Sequence, residues 1–239
     1  MKTILPSGVP SRILAGQNRG IILAVALLIL VQGCAHFAHG GGWRLLFDGK
    51  TTAGWRGFGM SEFPKQGWVV EDGCLHLLPH REQLDIITTA QFADFELEWE
   101  WRIAPKANNG LKYLVTEARP NSPGHEYQMV DDTTERGAKH LTASFYDVLA
   151  PQTTPRPKPP GEWNQSRLVL QGNHVEHWLN GVKVLTYELG SPELKAALAQ
   201  SKFKNVSGFG EKIKGHILLT DHHGETWYRN LRIRELPEK

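Results

Sequence analysis

The sequence predicts an all-β chain, a sandwich of two antiparallel sheets carrying one short surface helix. Three observations point there. Turn residues are dense, with 24 Gly and 14 Pro in 239 residues, and they punctuate short apolar runs throughout. The clearest run, Phe95 to Ile103, sets Phe95, Leu97, Trp99, Trp101 and Ile103 on one face and Glu96, Glu98, Glu100 and Arg102 on the other. That period of two marks a strand with one buried and one wet side. Strands and helices do not alternate, which argues against a parallel α/β sheet, and no internal repeat is visible.

The elements follow in order. Trp43 to Phe47 is a strand leading into the turn Asp48-Gly49-Lys50. Trp68 to Val70 and Cys74 to Leu78 flank Glu71-Asp72-Gly73, a hairpin signal. Asp85 to Thr89 is short, and Phe95 to Ile103 comes next. Asn108-Asn109-Gly110 reads as the turn into Leu111 to Thr116; strands over Glu126 to Val130 and Ser144 to Leu149 follow. Five prolines between Pro151 and Pro160 make an extended connector. Trp163 to Gln171, His174 to Leu179 and Val182 to Tyr187 form a meander, turning at Gly172-Asn173 and Asn180-Gly181. Ser191 as cap and Pro192 at the first position open a helix over Glu193 to Lys202. His216 to Leu219 and Trp227 to Arg234 close a domain that spans 43–236.

Ahead of it, residues 1–33 read as a signal segment. Ile21 to Val31 is an unbroken apolar run of eleven residues, shorter than the roughly 20 a membrane span needs and suited to a secretory h-region. Gly33-Cys34 directly after it resembles a lipoprotein cleavage site, with Cys34 the lipidated residue and 34–42 a tether. Ala35 then points to the outer membrane or periplasm; the alternative is plain secretion, with cleavage near Ala35 to Ala38. With Cys34 lipidated, Cys74 has no disulfide partner and reads as a small buried hydrophobe. The formal charge is +2 from 27 basic and 25 acidic residues. Lys2, Arg12 and Arg19 leave with the signal, so the mature domain carries 24 basic residues and a net charge near −1. That argues against nucleic acid as a partner and leaves membrane contact to the lipid anchor.

Several blocks stand in a recognisable order: Leu46-Phe47-Asp48-Gly49-Lys50, Gly54-Trp55, Trp68 to Gly73, Phe95-Glu96-Leu97, Asn109-Gly110-Leu111-Lys112-Tyr113, Glu126-Tyr127-Gln128, Pro160-Gly161-Glu162-Trp163-Asn164, Trp178-Leu179-Asn180-Gly181, Asp221-His222 and Arg229 to Ile233. On these blocks the chain resembles the 3-keto-disaccharide hydrolase family, over essentially all of Trp43 to Leu236. The resemblance implies a concanavalin-like (laminin-G-like) jelly roll. It also implies cleavage of glycosides whose C3 hydroxyl has been oxidised to a ketone, and hence an upstream sugar 3-oxidoreductase. Two blocks depart: Leu219-Thr220-Asp221-His222-His223 stands for Leu-Gln-Asp-His-Gly, and Asn108-Asn109-Gly110 for Asn-Ser-Gly.

The implied chemistry needs a base for the acidified C2 proton, a partner for the enolate oxygen and an acid for the leaving oxygen. Glu126 is the candidate base, Lys112 the enolate partner and His222 the proton donor. Gln128, Asp221, Tyr146 and His177 are candidate substrate contacts. Five of them have a plainer reading: Lys112 a solvated strand lysine, Glu126 and Gln128 an outward polar pair, His222 a hydrogen-bonded loop histidine, His177 a packed core histidine. Glu96, Glu98 and Glu100 read as a solvated outer face rather than a glycosidase pair. Trp55, Trp68 and Trp163 could stack on sugar, though most sandwich tryptophans are core. No strong metal signature is present. Asp131-Asp132 with His140 could present ligands to a divalent cation, yet adjacent acids on a strand diverge, which favours a polar turn. The competing functions are a non-catalytic carbohydrate-binding module and a structural lipoprotein.

Overall fold

The computed structural model describes residues 42–79, 82–121, 123–134, 137–154 and 157–238. The expected signal segment, Cys34 and the tether up to residue 41 lie outside them. The strands are β1 (Arg44–Leu45), β2 (Trp55–Gly57), β3 (Trp68–Glu71), β4 (Cys74–Leu77), β5 (Ile86–Thr88), β6 (Phe95–Ile103), β7 (Asn108–Val115), β8 (His125–Val130), β9 (Asn164–Gln171), β10 (His174–Leu179), β11 (Val182–Glu188), β12 (His216–Leu219) and β13 (Thr226–Glu235), with helix α1 (Pro192–Ala199) before β12. They form two antiparallel sheets, one ordered β11-β10-β9-β6-β13-β4-β3 with β1 also on β13, the other β2-β5-β12-β7-β8. This is a jelly-roll sandwich.

Strict alternation in β6 builds the core. Phe95, Leu97, Trp99, Trp101 and Ile103 are buried and face the second sheet, where Tyr127 of β8 meets Trp99 edge-on at 5.0 Å. Trp101 Nε1 donates to Ser166 Oγ at 2.8 Å, so the indole buries its one donor without leaving it unpaired. Truncating Trp99 would cost about 3–5 kcal/mol in lost transfer and cavity energy. The opposite face of β6 is a ladder of ion pairs rather than open solvent. Arg234 and Arg167 engage Glu96, Arg232 engages Glu98, and Arg229 engages Glu100. Glu96 is buried at 4% exposure. These carboxylates are committed to arginines.

Several sequence expectations are corrected. Ser144 to Leu149 is not a strand; it is a run of turns in which Phe145 bridges singly to Tyr127 and Leu149. Ala143 and Asp147 there take φ of 66° and 63°, and left-handed residues break a ladder. Asn108-Asn109-Gly110 is not the turn but already β7; Lys106, φ 65°, makes the turn. The first strand shrinks to Arg44–Leu45. The helix ends at Ala199, where Ser201 Oγ folds back on Leu198 O and takes the Phe203 N–H. Asn180-Gly181 forms the expected tight hairpin, with φ of 48° and 82°.

Candidate active site

Neighbouring strands of the second sheet align one row of side chains on the face turned away from the core. Ile87 pairs with Leu218, Leu218 with Lys112, and Lys112 with Glu126. Leu111, Tyr113 and Tyr127 take the opposite face and are fully buried, as period-two pleating requires. Glu126 nevertheless leaves solvent, at 4% exposure. It lies over Gly110, where a methyl group would stand 2.7 Å from Glu126 Cγ. A glycine inside a strand here marks a close approach.

Glu126 Oε1 is buried and accepts no hydrogen bond from the described residues. An unsatisfied buried oxygen is rare and calls for a reason. Burial by itself pushes this carboxyl up, but Lys112, His222 and Lys202 together outweigh it and hold the group below its ordinary value. Glu126 is therefore ionised near neutrality. His222 Nε2 stands 3.7 Å from Oε1, beyond hydrogen-bond range but close enough to act as a charge. Lys112 Nζ makes no ion pair or hydrogen bond among the described residues, so the ammonium is available to a ligand.

The two departures from the family pattern sit in the seam that holds this arrangement. Thr220 Oγ1 accepts the Gly110 N–H at 2.6 Å. Asn109 Oδ1 accepts the His222 N–H at 2.9 Å, while its amide donates to Gly224 O and Thr226 Oγ1. Asn109 thus fixes where His222 begins. A second carboxylate, Asp85, is new to the site. Burial pushes its carboxyl up against the pull of Lys112 and His222, and its Oδ1 takes the Asp221 N–H at 2.8 Å. Nothing in sequence marks it beyond an acid at the start of a strand.

The other candidates divide. Gln128 is beside Glu126 on the same face, buried, with Nε2 on Asn108 Oδ1 at 2.6 Å. Tyr146 joins them, its backbone N–H on Glu126 O at 3.0 Å. Asp221 is fully buried and accepts the Leu84 and His223 N–H groups, so it shapes the loop. His177 is not brought to the site. It lies in the core, fully buried, with Nδ1 donating to Ala143 O at 3.0 Å and Nε2 2.7 Å from Tyr113 Oη. Asp131, Asp132 and His140 do not converge either: they hold Thr133, Thr142 and Asp147 respectively. Among the described residues no three His, Cys, Asp or Glu side chains are placed to hold a metal. Trp55 and Trp68 are buried, bonding Leu46 O and Leu84 O; Trp163 lies under Arg229 at 3.9 Å. Two cavities, of about 370 and 410 Å³, lie between β11 and α1 and beside Trp163; Glu126 lines neither.

A jelly roll with an unsatisfied carboxylate set among cations on one sheet face has the makings of a carbohydrate-acting enzyme. The comparisons with known proteins make the class particular. Residues 42–234 match the model of the 3-keto-alpha-glucoside-1,2-lyase-like domain, and the chain belongs to that family of glycoside hydrolases and lyases. A curated 3-keto-disaccharide hydrolase of Bacteroides thetaiotaomicron is 31% identical over 231 residues, covering 82% of this chain and 79% of that one. A Parabacteroides distasonis structure, provisionally named a glycosyl hydrolase, matches with TM-score 0.73 and 30% identity over 82% of this chain and 95% of that one. A second from the same organism, at TM-score 0.67 and 24% identity over 82% and 100%, shares the fold.

Proposed function

We propose that this chain cleaves 3-keto-glycosides, 3-keto-disaccharides among them, by elimination and hydration. The ketone at C3 acidifies the C2 proton, and Glu126 removes it. Lys112 faces the C3 oxygen and stabilises the enolate as charge develops there. The electron pair then forms the C1–C2 double bond, and the C1–O1 bond breaks. His222 hands a proton to the departing oxygen, directly or through a water. Water then adds at C1, giving its proton back to His222, while Glu126 returns a proton to C2; a free 3-keto sugar and an alcohol remain.

The observation that carries this reading is Glu126 Oε1: buried, ionised and without a hydrogen bond from the described residues, among cations from separate segments of the chain. A carboxylate held below its ordinary pKa is a modest base. It suits a proton that the substrate's own ketone and Lys112 have already made acidic. The ketone must come from an oxidoreductase acting earlier on the sugar. Export with Cys34 as a lipidated first residue belongs to the same proposal and rests on sequence alone; a secreted chain that takes up no labelled palmitate removes it. The activity is tested with the chain from residue 35 and a 3-keto-disaccharide, following free sugar. Wild type is expected to release it and Glu126→Gln to be slower by about 10²–10⁴-fold. Equal rates would remove the assignment.

A further inference from the structure

Glu126 has cations on two sides, and the second side belongs to elements that the reaction above does not use. β8 pairs with β7, which carries Lys112, along one edge. Along its other edge it bonds the turn-rich segment 143–146: Ala143 N–H donates to Gln128 O, Gln128 N–H to Ser144 O and Tyr146 N–H to Glu126 O. Tyr146 therefore lies across Glu126 from Lys112.

A small assembly is built around it. The Tyr146 ring has the His140 ring at 4.9 Å and Lys202 Nζ at 4.2 Å. His140 Nε2 bonds Asp147 Oδ1 at 3.0 Å, and Asp147 Oδ2 accepts the Lys202 N–H at 2.7 Å. Two chain segments, 138–147 and the one following α1, are thereby tied together beside the carboxylate. Holding Ala143 and Asp147 at positive φ costs energy, which is tolerated where the surroundings over-determine the conformation. The product is an ammonium on an exposed residue, seated over the Tyr146 ring. Lys202 has no carboxylate within ion-pair distance among the described residues, and its charge reaches both Glu126 and Lys112.

Substrate geometry gives that ammonium a role. C2, which Glu126 attacks, has C3 on one side and C1 on the other. With Lys112 on the C3 oxygen, the unit attached through O1 extends past the edge of β8 that carries segment 143–146, towards Lys202. We propose that Lys202, held by Tyr146, His140 and Asp147, binds hydroxyl oxygens of the departing sugar and so selects disaccharides over glycosides with small leaving groups. This rests on the reading under Proposed function.

The test compares a 3-keto-disaccharide with the methyl 3-keto-glycoside of the same sugar, for wild type, Lys202→Met and Lys202→Arg. Lys202→Met is expected to lose about tenfold or more in kcat/KM on the disaccharide, the scale of one hydrogen bond to a charged group. Its loss on the methyl glycoside should be at least about fivefold smaller, because there Lys202 acts only through the charge of Glu126, and Lys202→Arg should recover much of the disaccharide loss. Equal loss on both substrates, or no loss on either, overturns the assignment while leaving the elimination reading intact. Wild type inactive on both would overturn the elimination reading, and this assignment with it.

Discussion

Glu126 shows how opposing effects settle at one residue. Burial favours its neutral form, three neighbouring cations favour the charged one, and the cations prevail. Charge for charge, Lys112 pulls harder than His222 or Lys202. Replacing it with Met should therefore raise the Glu126 pKa as well as weaken enolate stabilisation. The expected outcome is a residual activity whose acid limb, in a kcat/KM profile against pH, sits at higher pH than in wild type. The wild-type limb itself should lie below the ordinary glutamate value of 4.5. A limb that stays put means Lys112 does not act on Glu126. Lys112 and Glu126 were legible in sequence because each alternates with apolar neighbours on a strand. Asp85 and Lys202 were not, since an acid at the start of a strand and a lysine at the end of a helix, where the sequence puts them, are commonplace until long-range packing places them.

At the scale of elements, the site is a property of register. β7 and β8 pair so that Gly110 falls beneath the Glu126 side chain, and that relation is invisible in either strand alone. Glycine inside a strand usually weakens it, so alanine there would normally stabilise by about 0.5–1 kcal/mol. Here the sign should reverse. Gly110→Ala is expected to lower both the melting temperature and kcat/KM, because the new methyl displaces Glu126; unchanged activity with higher stability would refute the slot. The β6 alternation and the Asn180-Gly181 hairpin were legible because period and turn chemistry are local. Ser144 to Leu149 was misread as a strand because its apolar residues pack against β8 from turns, with only single bridges. Nothing local separates those two outcomes.

Across the whole molecule, a chain of hydrogen bonds joins the sheets. Gly210 N–H donates to His125 Nε2, and His125 Nδ1 approaches Tyr187 Oη at 3.3 Å. Tyr187 and Tyr113 hydroxyls meet at 2.5 Å, and Tyr113 reaches His177. One orientation satisfies every donor only if both histidines are neutral. Burial accordingly pushes their pKa values down from 6.5 to about 3 for His125 and about 4 for His177. Between those values and 6.5 the unfolded chain binds more protons, so stability falls as pH drops through that window. Urea midpoints measured from pH 7 to pH 4 should decrease steadily, and less so in His177→Gln; a flat profile would contradict the neutral pair.

The central claim is proton removal from C2, and deuterium reports on it directly. Wild-type enzyme turning over a 3-keto-glycoside in D₂O, beside an enzyme-free control for spontaneous exchange, should give a 3-keto sugar carrying solvent deuterium at C2 above that control, and should turn over a C2-deuterated substrate more slowly than the ordinary one. Product that keeps its original C2 hydrogen, together with equal rates for the two substrates, would mean direct displacement at C1, and would contradict the elimination.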